Sequence, residues 1–347
     1  MLAVFPDARL LTSVVRPGAL PPTFARAEPS LLQHIPGATK KHELLLPLMP
    51  AAWRSRVIRD VDVVISSSHA CANAVRMETG TPHLSYCHTP MRYAWGFDAE
   101  STRLPTLARP PARAAMAYFR RWDRNTAARV TRFVANSSAV AVRIQRFYGR
   151  EASVVHPPVD TEFFTPGGER GEDFLYVGRL TGYKRFDLAV DTFRGLQSRL
   201  LVVGEGADSG VPWQAPPNVS FLGSVDGEEL RALYRSARAV IAPGVEDFGI
   251  AMAEAQACGT PVIAAREGGA SDIVLDGATG WLVDRQSPDA FRETVRRATS
   301  EELDEERIHT RAQRFARRRF HDEIRSEVDE LVGQGTGSQV LDRGAAA

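Results

Sequence analysis

The fold of this chain is constrained most by short apolar runs of strand length that alternate with segments of helix length. The first set of runs covers residues 8–15, 61–66, 82–87, 132–136 and 152–156, and the second covers 174–177, 200–203, 219–222, 239–242, 262–265 and 280–283. Helices are predicted between them at 69–78, 110–131, 137–148, 184–195, 227–236 and 249–257. Apolar strands that alternate with helices are typical of parallel sheets covered by helices on both faces. The sequence therefore predicts an α/β chain with two doubly wound parallel-sheet domains.

Pro157-Pro158 and the Gly-rich acidic stretch Thr165–Glu172 separate the two sets of strands. After the second set the chain is charged and helical, with an apolar stripe at Phe320, Ile324, Val328 and Leu331. Its last residues are rich in Gly and Ala, which is typical of disorder. The predicted segments are an N-terminal domain over 1–157, a linker over 158–172, a second domain over 173–300, a helical segment over 301–332 and a disordered tail over 333–347.

The composition restricts the class of protein. A chain of 347 residues with 44% hydrophobic content can bury two cores of ordinary domain size. The sequence contains no apolar run near the roughly 18 residues that span a bilayer, and its first residues lack the layout of a signal peptide. Cys71, Cys87 and Cys258 are widely spaced, which argues for a reducing cytosol and against a disulfide framework or a zinc site.

The charge is distributed unevenly along the chain. Residues 1–155 carry 21 Lys/Arg and 10 Asp/Glu, whereas residues 156–347 carry 22 and 32. A basic first half, with an Arg-rich segment at Arg109–Trp122, predicts contact with anions such as phosphates or lipid head groups. A compositional drift without function is the alternative. Nucleic-acid binding is disfavoured because aromatic residues are not interleaved with the Arg residues as a stacking surface.

The most informative motif is the run Pro243–Glu254 with the Cys-Gly-Thr-Pro sequence behind it. It predicts a buried strand, a Gly-containing loop, a helix and a second buried strand. Backbone N–H groups from Phe248 to Ala251 would lie at the start of the helix, where anionic ligands are held. The carboxylates of Glu246 and Glu254 frame this loop. Two carboxylates beside a phosphate site predict a nucleotide-sugar site.

This run resembles the Glu-x7-Glu signature of retaining glycosyltransferases of the GT-B class, family 4. Gly178-Arg-Leu-Thr-Gly-Tyr-Lys-Arg185 resembles the diphosphate motif of the same family. The resemblance implies two Rossmann-like domains facing a cleft, with Arg179 and Lys184 neutralising the leaving nucleoside diphosphate. The two cations can converge on one anion. A solvated first turn of a helix is the alternative interpretation.

The resemblance also implies an active-site histidine at His88 and a nucleotide-side loop at Gly204-Glu-Gly206, although a structural histidine and an ordinary tight turn are alternatives. The implied catalytic residues are His88, Arg179, Lys184 and Glu246. The implied donor-binding residues are Gly178, Arg179, Lys184, Gly204, Glu205, Glu246, Asp247, Phe248, Gly249, Ile250 and Glu254. Since Asp60-Val-Asp62 is the only Asp-x-Asp pair in the sequence and lies at a strand entrance, we expect no metal and no cofactor other than the nucleotide-sugar substrate.

Within the family, Pro47–Pro50, Ile65–His69 and Tyr86–Trp95 resemble bacterial mannosyltransferases of surface-polysaccharide assembly. The implied reaction transfers a hexose, mannose from GDP-mannose, to a glycan or lipid-linked acceptor. The implied location is the cytoplasm, with peripheral attachment to an anionic surface at the inner face of the cell membrane. A nucleotide-sugar-binding subunit with impaired catalysis is the alternative.

The resemblance places an earlier strand and a Gly-rich loop before residue 1 of this sequence. We expect a misassigned start or an incomplete gene model. A truncated protein with impaired catalysis is the alternative, and it is the reason for keeping the non-catalytic interpretation.

Overall fold

The structure is a computed structural model that describes residues 1–16, 18, 27–39, 45–96, 109–206 and 215–344, with side chains described as far as residue 334. The chain divides into two compact units. The first unit contains Met1–Asn136, Val140–Val155 and His321–Ala347, and the second contains Ser137–Ala139 and His156–Phe320.

The first unit is built on a parallel sheet with the strand order β4-β6-β7-β8. Two short parallel pairs, β1 with β2 and β3 with β5, accompany it. The strands are β1 (Leu11–Thr12), β2 (Glu28–Pro29), β3 (Val57–Ile58), β4 (Val64–Ser68), β5 (Arg76–Met77), β6 (His83–Cys87), β7 (Arg132–Ala135) and β8 (Ala152–Val154). The helices are α1 (Met49–Arg54), α2 (Arg92–Trp95), α3 (Arg109–Ala127) and α4 (Ser138–Tyr148).

The second unit contains a parallel sheet with the order β11-β10-β9-β12-β13-β14. This is the strand order of the doubly wound Rossmann fold. Its strands are β9 (Phe174–Val177), β10 (Leu200–Val203), β11 (Val219–Gly223), β12 (Val240–Ala242), β13 (Val262–Ala265) and β14 (Gly280–Val283). Its helices are α5 (Phe186–Phe193), α6 (Gly227–Ser236), α7 (Ile250–Ala257), α8 (Ala270–Ile273), α9 (Pro288–Ser300) and α10 (Glu305–Ala312). The prediction of an α/β fold with parallel sheets in two domains is confirmed.

The sheet of the second unit is buried on both faces, which explains its continuous apolar runs. Successive side chains of a strand point to opposite faces. On β9, Phe174 packs in one core with Phe193 and Phe291, whereas Leu175 packs in the other with Met252. Burying each such side chain contributes about 1.5–3 kcal/mol relative to leaving it exposed. Alternation with polar residues would leave one of these cores unfilled.

The helix predicted over residues 69–78 is wrong. This segment holds a single 3₁₀ turn at Ala72–Ala74, and β5 follows it. The side chain of Asn73 is buried, and its Oδ1 accepts hydrogen bonds from the hydroxyls of Ser66 and Ser85. An asparagine that satisfies neighbouring groups in this way favours a turn over a regular helix.

The segment that the sequence predicted as a linker, residues 158–172, is packed against the second unit. Phe164 is buried in its core, and the N–H of Val159 donates to the carbonyl of Phe315. The guanidinium of Arg170 donates to the carbonyls of Ala237 and Gly259. The segment rich in proline and glycine is therefore an ordered loop, because these contacts satisfy backbone hydrogen-bonding groups of the loop and of the residues beside it.

Helix α11 (Arg317–Gly344) ends the described chain. The predicted apolar stripe is buried in it at Phe320, Ile324, Val328 and Leu331. Within the first unit, the guanidinium of Arg132 on β7 donates to the carboxylate of Glu327 at 3.1 Å. The structure differs from the predicted disordered tail, because α11 continues through residues 333–344. Once a helix is nucleated, extending it by one residue costs little.

A cavity of about 1290 Å³ lies in the first unit and is lined by residues 4–16 on one side and 60–67 on the other. Among the described residues, β1 is paired only with β2 and β4 only with β6. The lining is largely apolar and includes Leu11, Val14 and Ile65. The earlier strand implied by the family resemblance stays a prediction.

In the part of the chain that the structure describes, we find no helix with the length and apolar character needed to cross a membrane.

Candidate functional site

The candidate site lies in the second unit, where the strand order reverses between β9 and β12. In open α/β sheets, ligands bind outside the carboxyl ends of the strands at such a switch point. Strand β9 leads directly into Gly178 and Arg179, and β12 leads into the loop 243–249. Two of the motifs singled out in the sequence therefore meet at this edge of the sheet.

Glycines let the loops of the site approach one another closely. A Cβ atom at Gly204 would lie 1.9 Å from the carbonyl oxygen of Gly178, and Gly204 has a φ of +144°. A Cβ atom at Gly244 would lie 2.8 Å from the carbonyl oxygen of Lys184. Side chains are therefore excluded at both positions, and the loops after β9, β10 and β12 are held together by backbone packing.

A fourth loop, which follows β13, fixes the loop after β12 from its other side. Glu246 and Gly268 form a parallel bridge, and the N–H of Gly269 donates to the carbonyl of Glu246 at 2.9 Å. A Cβ atom at Gly269 would lie 2.4 Å from the Cα atom of Phe248. Sequence reasoning missed this glycine pair, although two consecutive glycines shortly after a buried strand are a usable signal for a close backbone contact.

The most prominent polar contact in the site joins Lys184 and Glu246. The Nζ atom of Lys184 lies 2.5 Å from Oε1 of Glu246, and the side chains are 23% and 18% exposed. Charge-assisted hydrogen bonds of this kind are stronger than neutral ones. The pair leaves both groups accessible, so the lysine can also reach an anion and the carboxylate can also accept from hydroxyl groups.

Arg179 is the second cation of the site, and it is more exposed than Lys184. Its guanidinium donates to the hydroxyl of Tyr183 at 2.5 Å and lies over the ring of Tyr183. The residues between the two cations form a 3₁₀ turn at Gly182–Lys184, and Arg185 adopts a left-handed conformation with a φ of 50°. Lys184 therefore lies in a tight turn before α5 and not in the helix that was predicted to begin at residue 184.

Glu254 lies on α7, and its Oε2 accepts a hydrogen bond from the hydroxyl of Tyr234 at 3.0 Å. Burial raises the pKa of Glu254 to about 7, although the Tyr234 hydrogen bond lowers it in part. Burial also raises the pKa of Tyr234 well above its usual range. A carboxyl group with a pKa near 7 changes its charge close to neutral pH, which makes Glu254 sensitive to pH and to a ligand. Sequence reasoning missed Tyr234, which carries no motif.

The loop between Glu246 and α7 is held by contacts on several sides. The side chain of Phe248 is buried. The centre of its ring lies 5.7 Å from the ring centre of His156 and 5.3 Å from that of Phe315. The hydroxyl of Ser137 donates to the carbonyl of Asp247. Phe248 therefore fixes the loop from inside the core. Ile250, at the start of α7, is 48% exposed.

His88 belongs to the first unit, directly after β6. Its Nε2 lies 2.8 Å from the hydroxyl of Ser67 on β4, and its ring meets that of Tyr86 edge-on. The position at the carboxyl end of a strand agrees with the predicted loop. Its role stays a prediction.

The predicted donor-binding residues come together in the second unit at the loops after β9, β10 and β12 and along α7. Leu180 and Glu205 are joined across two of these loops by a backbone hydrogen bond of 3.1 Å. Among the described residues, no group of three or more His, Cys, Asp or Glu side chains has the arrangement of a metal site. Metal independence stays a prediction.

Comparison with known proteins finds a family match for the first part of the chain and another for the second part. Residues 12–163 match Glycosyltransferase Family 4, and residues 160–315 match Glycosyl transferases group 1. Each match covers a little under half of the chain, and both are to glycosyltransferase families. The two matches meet at residues 160–163, close to the junction between the two sets of predicted strands.

Relatives include D-inositol 3-phosphate glycosyltransferases. The protein of that name from Nocardiopsis dassonvillei is 32% identical over 205 residues, which are 49% of this chain and 48% of the relative. The one from Actinosynnema mirum is 36% identical over 197 residues, 46% of this chain and 47% of the relative. The match spans about half the length of these curated relatives.

Solved structures share the fold at low sequence identity. Anabaena Alr3699/HepE in complex with UDP-glucose has a TM-score of 0.62 and 16% identity, with 89% of this chain and 87% of that chain covered. The apo form of the lipopolysaccharide outer core galactosyltransferase WaaB has a TM-score of 0.56 and 18% identity, with coverage of 83% and 78%. The likeness to these structures shows that the chain has the GT-B fold.

Proposed function

We propose that this chain is a retaining glycosyltransferase that transfers a hexose from a nucleoside diphosphate sugar to a hydroxyl group of an acceptor. The observation that carries the proposal is the pairing of Lys184 with Glu246 at the switch point of a Rossmann sheet, beside Arg179. Two cations and a carboxylate at this place suit a diphosphate and a sugar that are bound side by side.

The cations have a direct use in the reaction. When the bond between the anomeric carbon and the diphosphate oxygen breaks, negative charge develops on the departing diphosphate. Arg179 and Lys184 stabilise that charge, and donors placed in advance are most effective in a site with little water. Glu246 is then released from Lys184 to accept hydrogen bonds from the sugar, and Glu254 accepts from the ribose hydroxyls.

The proposed stereochemistry follows from the absence of a dedicated base among the assigned residues. The acceptor oxygen attacks on the face that the diphosphate leaves, and the departing phosphate oxygen takes the acceptor proton. Because the new bond forms on the face that the diphosphate leaves, it has the configuration of the bond that breaks, and the electron pair of the broken bond remains on the diphosphate. His88 is proposed to contact the transferred sugar.

GDP-mannose is the proposed donor, and a glycan or a lipid-linked glycan is the proposed acceptor. Both rest on the likeness of three sequence motifs to mannosyltransferases. The names of the relatives favour a second candidate, a phosphorylated inositol, as the acceptor. Each of these acceptors offers a hydroxyl group as the nucleophile, so the chemistry of attack is the same.

The donor is tested by thermal unfolding of the purified chain with GDP, UDP and ADP. A ligand that binds only the folded state raises the midpoint in proportion to ln(1 + [L]/Kd), so 100 times Kd contributes about 2.7 kcal/mol. We expect GDP to give the largest increase. A larger increase with UDP would exclude GDP-mannose as the preferred donor.

The reaction is tested by incubating GDP-mannose and UDP-glucose with a lipid-linked glycan or with inositol 3-phosphate. We expect a glycoside with the anomeric configuration of the donor. Binding of a nucleotide sugar without any product would instead support the alternative of a binding subunit with impaired catalysis. A product with inverted configuration would contradict the retaining mechanism.

We also propose that the protein works in the cytoplasm and attaches reversibly to an anionic membrane surface through α3. Arg113, Ala117 and Arg121 lie one turn apart on the exposed face of this helix, with Tyr118 66% exposed beside them. Trp122 is buried among core residues, so it belongs to the core and not to the proposed surface. Basic residues near an anionic bilayer contribute about 1 kcal/mol each.

Sedimentation with vesicles tests the attachment. We expect the protein to pellet with phosphatidylserine-containing vesicles at low salt and to be released at high salt, because salt screens the attraction. The variant Arg113→Glu/Arg121→Glu should pellet less, whereas Arg194→Glu in the second unit should behave like the unaltered chain. Protein that stays in the supernatant at low salt would rule out the attachment.

A further inference from the structure

Tyr183 lies between the two cations of the site and contacts both. Its hydroxyl accepts a hydrogen bond from the guanidinium of Arg179 at 2.5 Å. The same guanidinium lies 5.5 Å from the centre of its ring, and the Nζ atom of Lys184 lies 5.7 Å from that centre. One side chain therefore touches the two groups to which the proposed function assigns the diphosphate.

The turn Gly182–Lys184 holds the backbone of both Tyr183 and Lys184. It is a 3₁₀ turn, and the left-handed Arg185 ends it before α5 begins. The carbonyl of Lys184 is in turn fixed by its close approach to Gly244. The ring of Tyr183 is thus attached to backbone that cannot shift far.

We propose that Tyr183 is a positioning residue that holds Arg179 and Lys184 for the diphosphate of the donor. The inference rests on the proposed function and adds a residue to it. Flexible cations lose side-chain entropy when they are ordered by a ligand, and a contact that orders them beforehand reduces that cost.

An aromatic ring suits this task better than a carboxylate does. A carboxylate such as Glu246 attracts the cation but also neutralises the charge that the phosphate needs. A neutral ring attracts cations through its quadrupole and leaves their charge available. The phenolic oxygen occupies a single N–H of Arg179, and a guanidinium has five. The remaining donors of Arg179 can bind phosphate oxygens.

The test compares Tyr183→Phe with Tyr183→Leu by calorimetric titration with GDP and UDP. The Phe variant keeps the ring but loses the hydroxyl, so we expect a Kd about 5-fold higher. The Leu variant loses both contacts, and we expect a Kd about 20-fold higher. Binding of guanosine or uridine, which carry no phosphate, should be unchanged. Tyr118→Phe and Tyr118→Leu on the exposed face of α3 serve as matched controls.

The outcomes separate this inference from the function on which it rests. If the unaltered chain binds neither GDP nor UDP, both fail. If it binds one of them and Lys184→Ala weakens binding, but Tyr183→Leu binds as tightly as the unaltered chain, only the positioning role fails. If Tyr183→Leu lost affinity equally for the nucleoside and for its diphosphate, Tyr183 would have a general structural role, and the proposed positioning role would be overturned. The Phe variant decides the question even if the Leu variant does not fold.

Discussion

Replacing Arg179 with alanine is expected to lower kcat/KM for the nucleotide sugar at least ~100-fold, the scale for losing one electrostatic donor at a site of developing charge. The guanidinium is exposed and donates to the hydroxyl of Tyr183, and among the described residues it forms no ion pair with a carboxylate. Its removal should therefore leave the fold intact, while the departing diphosphate loses a charged donor. Steady-state kinetics over a range of donor concentrations measures the effect.

The control for this variant is Arg194→Ala. Arg194 is 55% exposed at the end of α5 and makes a surface ion pair with Asp191 at 3.6 Å. Such pairs contribute about 0–1 kcal/mol, so we expect kcat/KM within about 2-fold of the unaltered chain. A near-normal rate for Arg179→Ala, with the control also normal, would remove Arg179 from the catalytic residues.

Strands of the second unit could be predicted almost residue by residue. The runs at 174–177, 200–203, 262–265 and 280–283 coincide with β9, β10, β13 and β14. Each of these strands is covered on both faces, so every residue must be apolar and the run ends where the strand ends. In the first unit, the helix predicted over 69–78 was wrong because the apolar residues of this segment also fit a helix. The turn that forms instead is held by hydrogen bonds to the buried Asn73 from Ser66 and Ser85, which lie on two strands outside the segment.

The candidate site could be predicted only where it is contained in local motifs. Arg179, Lys184, Glu246 and Glu254 lie in runs that resemble a family signature. The contacts that give these residues their chemistry connect distant parts of the chain, such as Lys184 with Glu246 and Tyr234 with Glu254. Neither spacing nor composition encodes such pairs, because they depend on which loops the sheet order places side by side.

The environment of Glu254 leads to a prediction about pH. Burial raises its pKa to about 7, so the carboxyl is mostly protonated at pH 6 and mostly ionised at pH 8. An ionised carboxylate accepts hydrogen bonds from both ribose hydroxyls, whereas the protonated form accepts less well. We expect the KM for the nucleotide sugar to fall by roughly 10-fold from pH 6 to pH 8, as the ionised fraction rises from about 0.1 to about 0.9.

The variant Glu254→Gln separates this group from others that titrate in the same range. Glutamine has nearly the same shape and stays neutral, so the pH dependence of KM should disappear. At pH 6 the variant and the unaltered chain should have similar KM values, and at pH 8 the variant should be roughly 10-fold worse. A pH profile that keeps its inflection in the variant would assign the titration to another residue.

Folding stability gives a second measurement that does not depend on turnover. The folded-state pKa of Glu254 lies above its ordinary value of 4.5, so the folded chain binds the proton more tightly than the unfolded chain does. The contribution of this carboxyl to the free energy of unfolding is therefore fully present below pH 4.5 and is lost as the pH rises through about 7. Urea unfolding at pH 5, 6, 7 and 8 should show a smaller decline for Glu254→Gln than for the unaltered chain. If both decline equally, the carboxyl does not titrate near neutral pH, and its proposed control of donor binding by pH fails with it.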